Sequence, residues 1–225
     1  MKLLGIFFMT ARKVIFAFAG FFIMTAIALP QQLLPTAELD LKETYTSFTK
    51  ALEEPDKVYK LDLSFQGLKQ IPDSIVLLKN LQILILSDNE LDTIPDFIGN
   101  LVNLQELIVN KNKVEFVSDS ICKLTNLKKL HLIRNRIKVL PPRIGEIESL
   151  EELVLSKNRF KEVPLSIGNL KNLREMYLSD NRIKYLPQTI AELDMLKKLY
   201  LFGNNIPDDE REVIQKLLPN TEVVW

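Results

Sequence analysis

At 225 residues, with 47% apolar and 26% charged side chains, the chain has the composition of a folded globular protein long enough to bury a sizeable core. A formal net charge of zero removes any overall bias toward nucleic acid or membranes, and a single cysteine excludes an internal disulfide framework. Seven glycines against eleven prolines argue against glycine-rich, phosphate-cradling loops.

The first element is unlike the rest. MKLLGIFFMTARK carries Lys2, Arg12 and Lys13, an apolar run fills residues 14–29, and Ala26-Ile27-Ala28 places small residues before Leu29. That order is a signal peptide over residues 1–28, cleaved before Leu29, with Met9 as an alternative start. A retained inner-membrane anchor is the competing reading, but a run of 16 residues at ~1.5 Å each spans roughly 24 Å, short of a ~30 Å hydrocarbon core. Cleavage removes three cations and leaves 26 basic and 29 acidic side chains, a net charge of −3. Residues 29–57 then supply a linker and a cap. Within them ETYTSFTKALE (43–53) spaces Tyr45, Phe48, Ala51 and Leu52 along one helical face, and Pro55 follows.

From residue 58 the sequence repeats every 23 residues. Unit one is VYKLDLSFQGLKQIPDSIVLLKN (58–80), and units two to six begin at Leu81, Leu104, Leu127, Leu150 and Leu173. A truncated seventh, LKKLYLFGNNIPD, begins at Leu196. Apolar residues recur at positions 1, 4, 6, 11, 14, 18 and 21, and position 9 is Asn in six of seven units, with Gln66 in the first. Position 15 is proline in five of six full units, with Ser118 in the third, which also carries Cys122. A fixed period of this length predicts a solenoid over 58–207. Each x-L-x-L stretch is a short strand with one buried face, and Pro-x-x-Ile-x-x-Leu is a helical turn opposite it. Residues 208–225 close the coil: DDEREVIQKLL offers an apolar face of Val213, Ile214, Leu217 and Leu218, and TEVVW a last strand.

The units resemble the 23-residue L-x-x-L-x-L-x-x-N-x-L-x-x-L-P-x-x-I-G-x-L-x-x class of leucine-rich repeats. With the caps, the chain is similar to exported leucine-rich repeat proteins of spirochaetes. The resemblance implies an α/β solenoid: a curved right-handed coil with a parallel concave sheet, short helical turns on the convex side and helical caps at both ends. It also implies a non-enzymatic binding module whose partner is a host extracellular component. The chain has neither cysteine-rich caps nor a glycosylation sequon, which favours bacterial export. A periplasmic or membrane-tethered scaffold is the alternative.

The single cysteine, Cys122, and the single histidine, His131, invite a catalytic reading. Their positions, 19 on the convex turn and 5 on the concave strand, put them on opposite faces, so no nucleophile–base pair and no metal site is expected. No cofactor is implied. The expected contact surface is the outward strand column at position 5, Asp62, Ile85, Ile108, His131, Val154, Tyr177 and Tyr200. Position 7 adds Ile133 and Phe202, and position 3 adds Ile83. Stacked apolar side chains of this kind mark a protein partner site, although β-branched and aromatic residues also suit strands for their own sake. His131 in mid-stripe offers titration of binding near pH 6–7. Where the chain leaves the strands, Lys111, Lys113, Arg134, Arg136, Lys157, Arg159 and Arg182, with Lys138, Lys161 and Lys184, form a basic rim. Such a rim is either solvated filler or a site for an anionic glycan; an exported monomer is not expected to meet nucleic acid. Charged blocks at positions 2 and 3, Lys128–Lys129 beside Glu151–Glu152 among them, read as lateral self-compensation.

Overall fold

The strands follow directly from the x-L-x-L stretches. In a computed structural model that describes residues 33–225, β1 (Thr44–Tyr45), β2 (Lys60–Asp62) and β3 (Ile83–Ile85) lead into β4 (Thr93–Ile94), β5 (Glu106–Ile108) and β6 (Phe116–Val117). They continue with β7 (Lys129–His131), β8 (Glu152–Val154), β9 (Glu175–Tyr177), β10 (Lys198–Tyr200) and β11 (Glu222–Val224). The signal-peptide reading falls outside the described residues. Among these, nine strands form one parallel sheet in the order β1-β2-β3-β5-β7-β8-β9-β10-β11, and β4 pairs with β6. From β2 to β10 every pair is offset by one repeat, as in Lys60↔Ile83 and Lys129↔Glu152. The sequence period is therefore also the sheet register.

The repeated leucines make the core. Leu61, Leu84, Leu107, Leu130, Leu153 and Leu199 are fully buried, and Met176 fills the same place in unit six. The position-9 amides hold the strand exits together. Asn135 donates to the carbonyls of Val109 (2.7 Å) and Leu132 (3.1 Å) and accepts from the Val114 N–H (3.1 Å). Asn112, Asn158, Asn181 and Asn204 repeat the arrangement. Gln66 departs from it and instead donates to the Thr46 carbonyl of the N-terminal cap (2.8 Å). A second amide column, which the sequence reading passed over, stands at position 23: Asn103, Asn126 and Asn172 each donate to a carbonyl of the preceding unit, and Asn80 to the Asp56 carbonyl of the N-terminal cap.

The convex segments are 3-10 turns rather than α-helical ones, such as Asp73–Leu77, Asp96–Asn100 and Leu165–Asn169, each entered through proline. Ser118 replaces that proline and caps its turn by accepting from the Ser120 N–H (3.1 Å). Glycine at position 19 has a steric cause. A Cβ on Gly145 would lie 2.0 Å from the Ser166 carbonyl oxygen of the next unit. Where Cys122 takes that place, the following turn is short (Ile144–Glu146), and a cavity of about 430 Å³ opens beside Cys122, Arg143 and Glu146.

Each of the seven repeat strands β2, β3, β5 and β7 to β10 exits through a left-handed residue at position 8: Phe65, Asp88, Lys111, Arg134, Lys157 and Asp180 have φ between 51° and 61°, and Gly203 has 71°. Non-glycine residues accept about 1 kcal/mol of strain there, so that the next side chain, asparagine, can turn inward.

The ends differ from expectation. Residues 43–53 do not form one helix. Thr44–Tyr45 adds β1 to β2, and only Phe48–Glu53 is helical (α2), capped by Ser47. An apolar face at the coil's end can be covered by a strand as well as by a helix, and the exposed edge of β2 favours the strand. A further short helix, α1 (Thr36–Asp40), precedes it. At the other end α3 (Asp208–Leu217) buries Ile214, with Leu218 just beyond it, but leaves Val213 exposed, and β11 closes the sheet on β10. No helix among the described residues is long and apolar enough to cross a membrane.

Candidate interaction surface

The register lines up position 5 as one column. Ile85↔Ile108, Ile108↔His131, His131↔Val154, Val154↔Tyr177 and Tyr177↔Tyr200 are all direct cross-strand neighbours, one strand spacing of ~4.8 Å apart. Most of these side chains are half-buried. Val154 is a correction to the expected contact set: at 6% exposure it is closed off within the column. Tyr177 and Tyr200 stack face to face, with centroids 4.5 Å apart and planes within 5°. The Tyr177 hydroxyl donates to Glu175 and is held well above its usual pKa by that hydrogen bond, then by burial and by the carboxylate's charge. Phe202, 60% exposed, follows Tyr200 on the same strand exit, and Ile133 is half-buried.

His131 also departs from expectation. Its Nε2 is buried and makes no hydrogen bond; Glu152 Oε1 lies 3.2 Å away, outside hydrogen-bonding geometry. Burial lowers its pKa below 6.5 despite the opposing pull of Glu152 and Glu106. The shift favours the neutral ring. Cys122 is 3% exposed, and burial pushes its thiol up to about 11, so it offers no thiolate. Among the described residues no three His, Cys, Asp or Glu side chains gather closely enough to hold a metal ion.

The strand entries of the first three units are contacted by the chain itself. Leu34 donates its N–H to Gln82 Oε1 (3.1 Å) and accepts from Gln105 Nε2 (3.0 Å), which also donates to Gln82 Oε1 (2.7 Å). Farther along this strap, the Asp40 carbonyl accepts from Lys60 Nζ (3.2 Å), and the Lys42 ammonium sits 4.8 Å from the Tyr59 ring centre. Residues 34–42 thus cross units one to three at positions 2 and 3. Sequence reasoning missed the strap. Its one signal was that position 2 is a neutral amide in units two and three, where units four to seven carry charges. Charges at positions 2 and 3 partly pair sideways, Lys129 with Glu106 (2.9 Å) and Arg174 with Glu151 (3.8 Å).

The basic rim divides in two. Lys111 pairs with Asp88 (3.2 Å), Lys113 with Glu90 (3.0 Å) and Arg136 with Glu115 (3.6 Å). Among the described residues Arg134, Lys138, Lys157, Arg159, Lys161, Arg182 and Lys184 have no ion-pair partner.

Two family models match the chain, one for a leucine-rich repeat over residues 56–114 and one for a leucine-rich repeat region over 111–220. Among solved structures, a leucine-rich repeat protein of Leptospira interrogans is similar at 30% identity and a TM-score of 0.60, over 82% of this chain and 58% of that one. An internalin of Listeria monocytogenes shares the fold at 21% identity and a TM-score of 0.63, over 75% of this chain and 48% of its own. The chain therefore spans about half the length of these two neighbours. No curated protein matches it. With family matches running unbroken from residue 56 to 220 on a parallel sheet registered by the repeat, this is a leucine-rich repeat solenoid.

Proposed function

We propose that this chain is an exported, non-enzymatic module that binds a protein partner through the C-terminal half of its concave face. The observation that carries the reading is the stacked Tyr177–Tyr200 pair beside the exposed Phe202. Aromatic side chains held rigid by a sheet lose little entropy on binding and are the usual anchors of protein interfaces. The strap lies along units one to three at positions 2 and 3, so the footprint is centred away from it, on His131, Ile133, Tyr177, Tyr200 and Phe202. A host extracellular protein is the partner class, and the module acts as a monomer. The signal-like order of residues 1–28 supports export. Protein recovered from cells should begin at Leu29; an intact Met1 end in the membrane fraction supports the tethered scaffold instead.

The test is partner capture by the chain beginning at Leu29. Tyr177→Ala with Tyr200→Ala should weaken it by roughly 30-fold or more, about 2 kcal/mol or above, since each ring is an anchor. Any response of capture to protonation of His131 should fall below pH 6.5, because burial lowers the pKa of the ring; capture measured against pH checks this. Undiminished capture by the double variant, at unchanged melting temperature, removes the concave reading.

A further inference from the structure

The division of the rim into a paired and an unpaired half points to a second site, independent of the concave face. In units two to four each cation of the rim that forms a pair finds a carboxylate one turn earlier, through Asp88, Glu90 and Glu115. Beyond Arg136 the acids run out. Four of the unpaired cations, Lys138, Arg159, Lys161 and Arg182, line one groove of about 430 Å³ with Val139 and Glu162. Glu162 and the position-8 Asp180 are the carboxylates beside this stretch, and the cations outnumber them.

The fold makes this arrangement unfavourable in the absence of a ligand. Equal positions of successive units stack one strand spacing apart, ~4.8 Å. Lys157 therefore follows Arg134, Arg159 follows Arg136 and Arg182 follows Arg159, like charge upon like charge. Neighbouring like charges repel, and the same positions one unit earlier show that the fold readily accepts opposite charges there. An anion laid along the groove would turn that repulsion into attraction.

We propose that the groove between units four and six binds a linear anionic polysaccharide bearing sulfate or carboxylate groups. The guanidinium groups of Arg159 and Arg182, one turn apart, each offer a planar fork to such a group, and the cations continue along the rim in a line that suits an extended polymer. A single-stranded nucleic acid needs successive aromatic platforms. The exposed aromatics beside the rim, Phe116 and Tyr185, are three units apart, too far to stack adjacent bases. A recessed groove also suits a chain better than a flat lipid surface.

The experiment is calorimetric titration of the chain beginning at Leu29 with a heparin oligosaccharide at low salt, with a neutral dextran oligosaccharide and oligo-dT as comparisons. Heparin should bind, dextran should not, and added salt should weaken the binding steeply. Joint replacement of Lys138, Arg159, Lys161 and Arg182 by Gln should lower heparin affinity roughly 30-fold or more. The same variant should melt higher than the parent at low salt, because the stacked repulsion is gone. Lys111→Gln with Lys113→Gln, which breaks the paired half, should leave affinity within roughly twofold. Equal losses from both variants, or oligo-dT binding as tightly as heparin, would overturn the proposal. So would a groove variant that melts lower and still binds.

Discussion

Replacing Asn158 with Ala is expected to destabilise the solenoid by about 2–4 kcal/mol, lowering the melting temperature by roughly 5–15 °C. The estimate follows from what each hydrogen bond leaves behind. Nδ2 donates to the Leu132 carbonyl (2.8 Å) and the Leu155 carbonyl (3.0 Å), while Oδ1 accepts from the Ile137 N–H (3.1 Å). Both carbonyls keep a second amide, Asn135 on Leu132 and Asn181 on Leu155, each at 3.1 Å. The Ile137 N–H keeps nothing, and it is the orphaned buried donor that costs most. Asn158→Asp separates the two roles. It retains an acceptor for Ile137 but turns the two donating contacts into a carboxylate facing carbonyls. Burial and the carbonyls raise the folded pKa of such an Asp above its unfolded value, so its stability deficit should be large at pH 7 and shrink as pH falls toward about 4. Denaturant titrations at the two pH values check this. An alanine variant within about 1 kcal/mol of the parent, or an aspartate variant insensitive to pH, would show that the asparagine column does not bind the strand exits together.

Gly145→Ala is expected to cost about 2–4 kcal/mol even though alanine is intrinsically the better helix former by about 1 kcal/mol. The added Cβ would stand 2.0 Å from the Ser166 carbonyl oxygen and 2.9 Å from the Asn169 Cβ. The near atom is backbone, so units four and five must move apart, and in a solenoid that loosens every contact across one interface. Cys122 occupies the same position one unit earlier at no such cost, because the shortened turn after it leaves room. Cys122→Ala should therefore change stability by only about 1 kcal/mol. Equal effects at the two sites in thermal melts would mean that the glycine is there for some reason other than close approach.

Much of the fold was legible because the repeat encodes contacts between identical neighbours. Leu107, Leu130 and Leu153 recur at the spacing at which their strands register, and Asn112, Asn135 and Asn158 recur at the spacing at which their amides reach one another's backbone. The candidate stripe was legible for the same reason, since alternation along a strand says which side chains point outward. Val154 was misjudged as exposed and the burial of the His131 ring was missed, because burial depends on what flanks a side chain rather than on which way it points.

What only the tertiary structure decided lies where distant or non-repeating residues meet. Leu34 bonds to Gln105 across 71 residues, and no periodicity announces that contact. The position-8 residues look like any loop residues in sequence, yet all of them adopt positive φ. Basic residues that form one uniform column on paper separate into Lys111 and Lys113, neutralised by the preceding turn, and Arg159 and Arg182, left unpaired. The sequence by itself determined the repeating core, in which each residue's neighbours are its own counterparts one period away. The ends, the strap and the balance of charge depend on residues that have no counterpart to predict them, and only the folded chain brings those together.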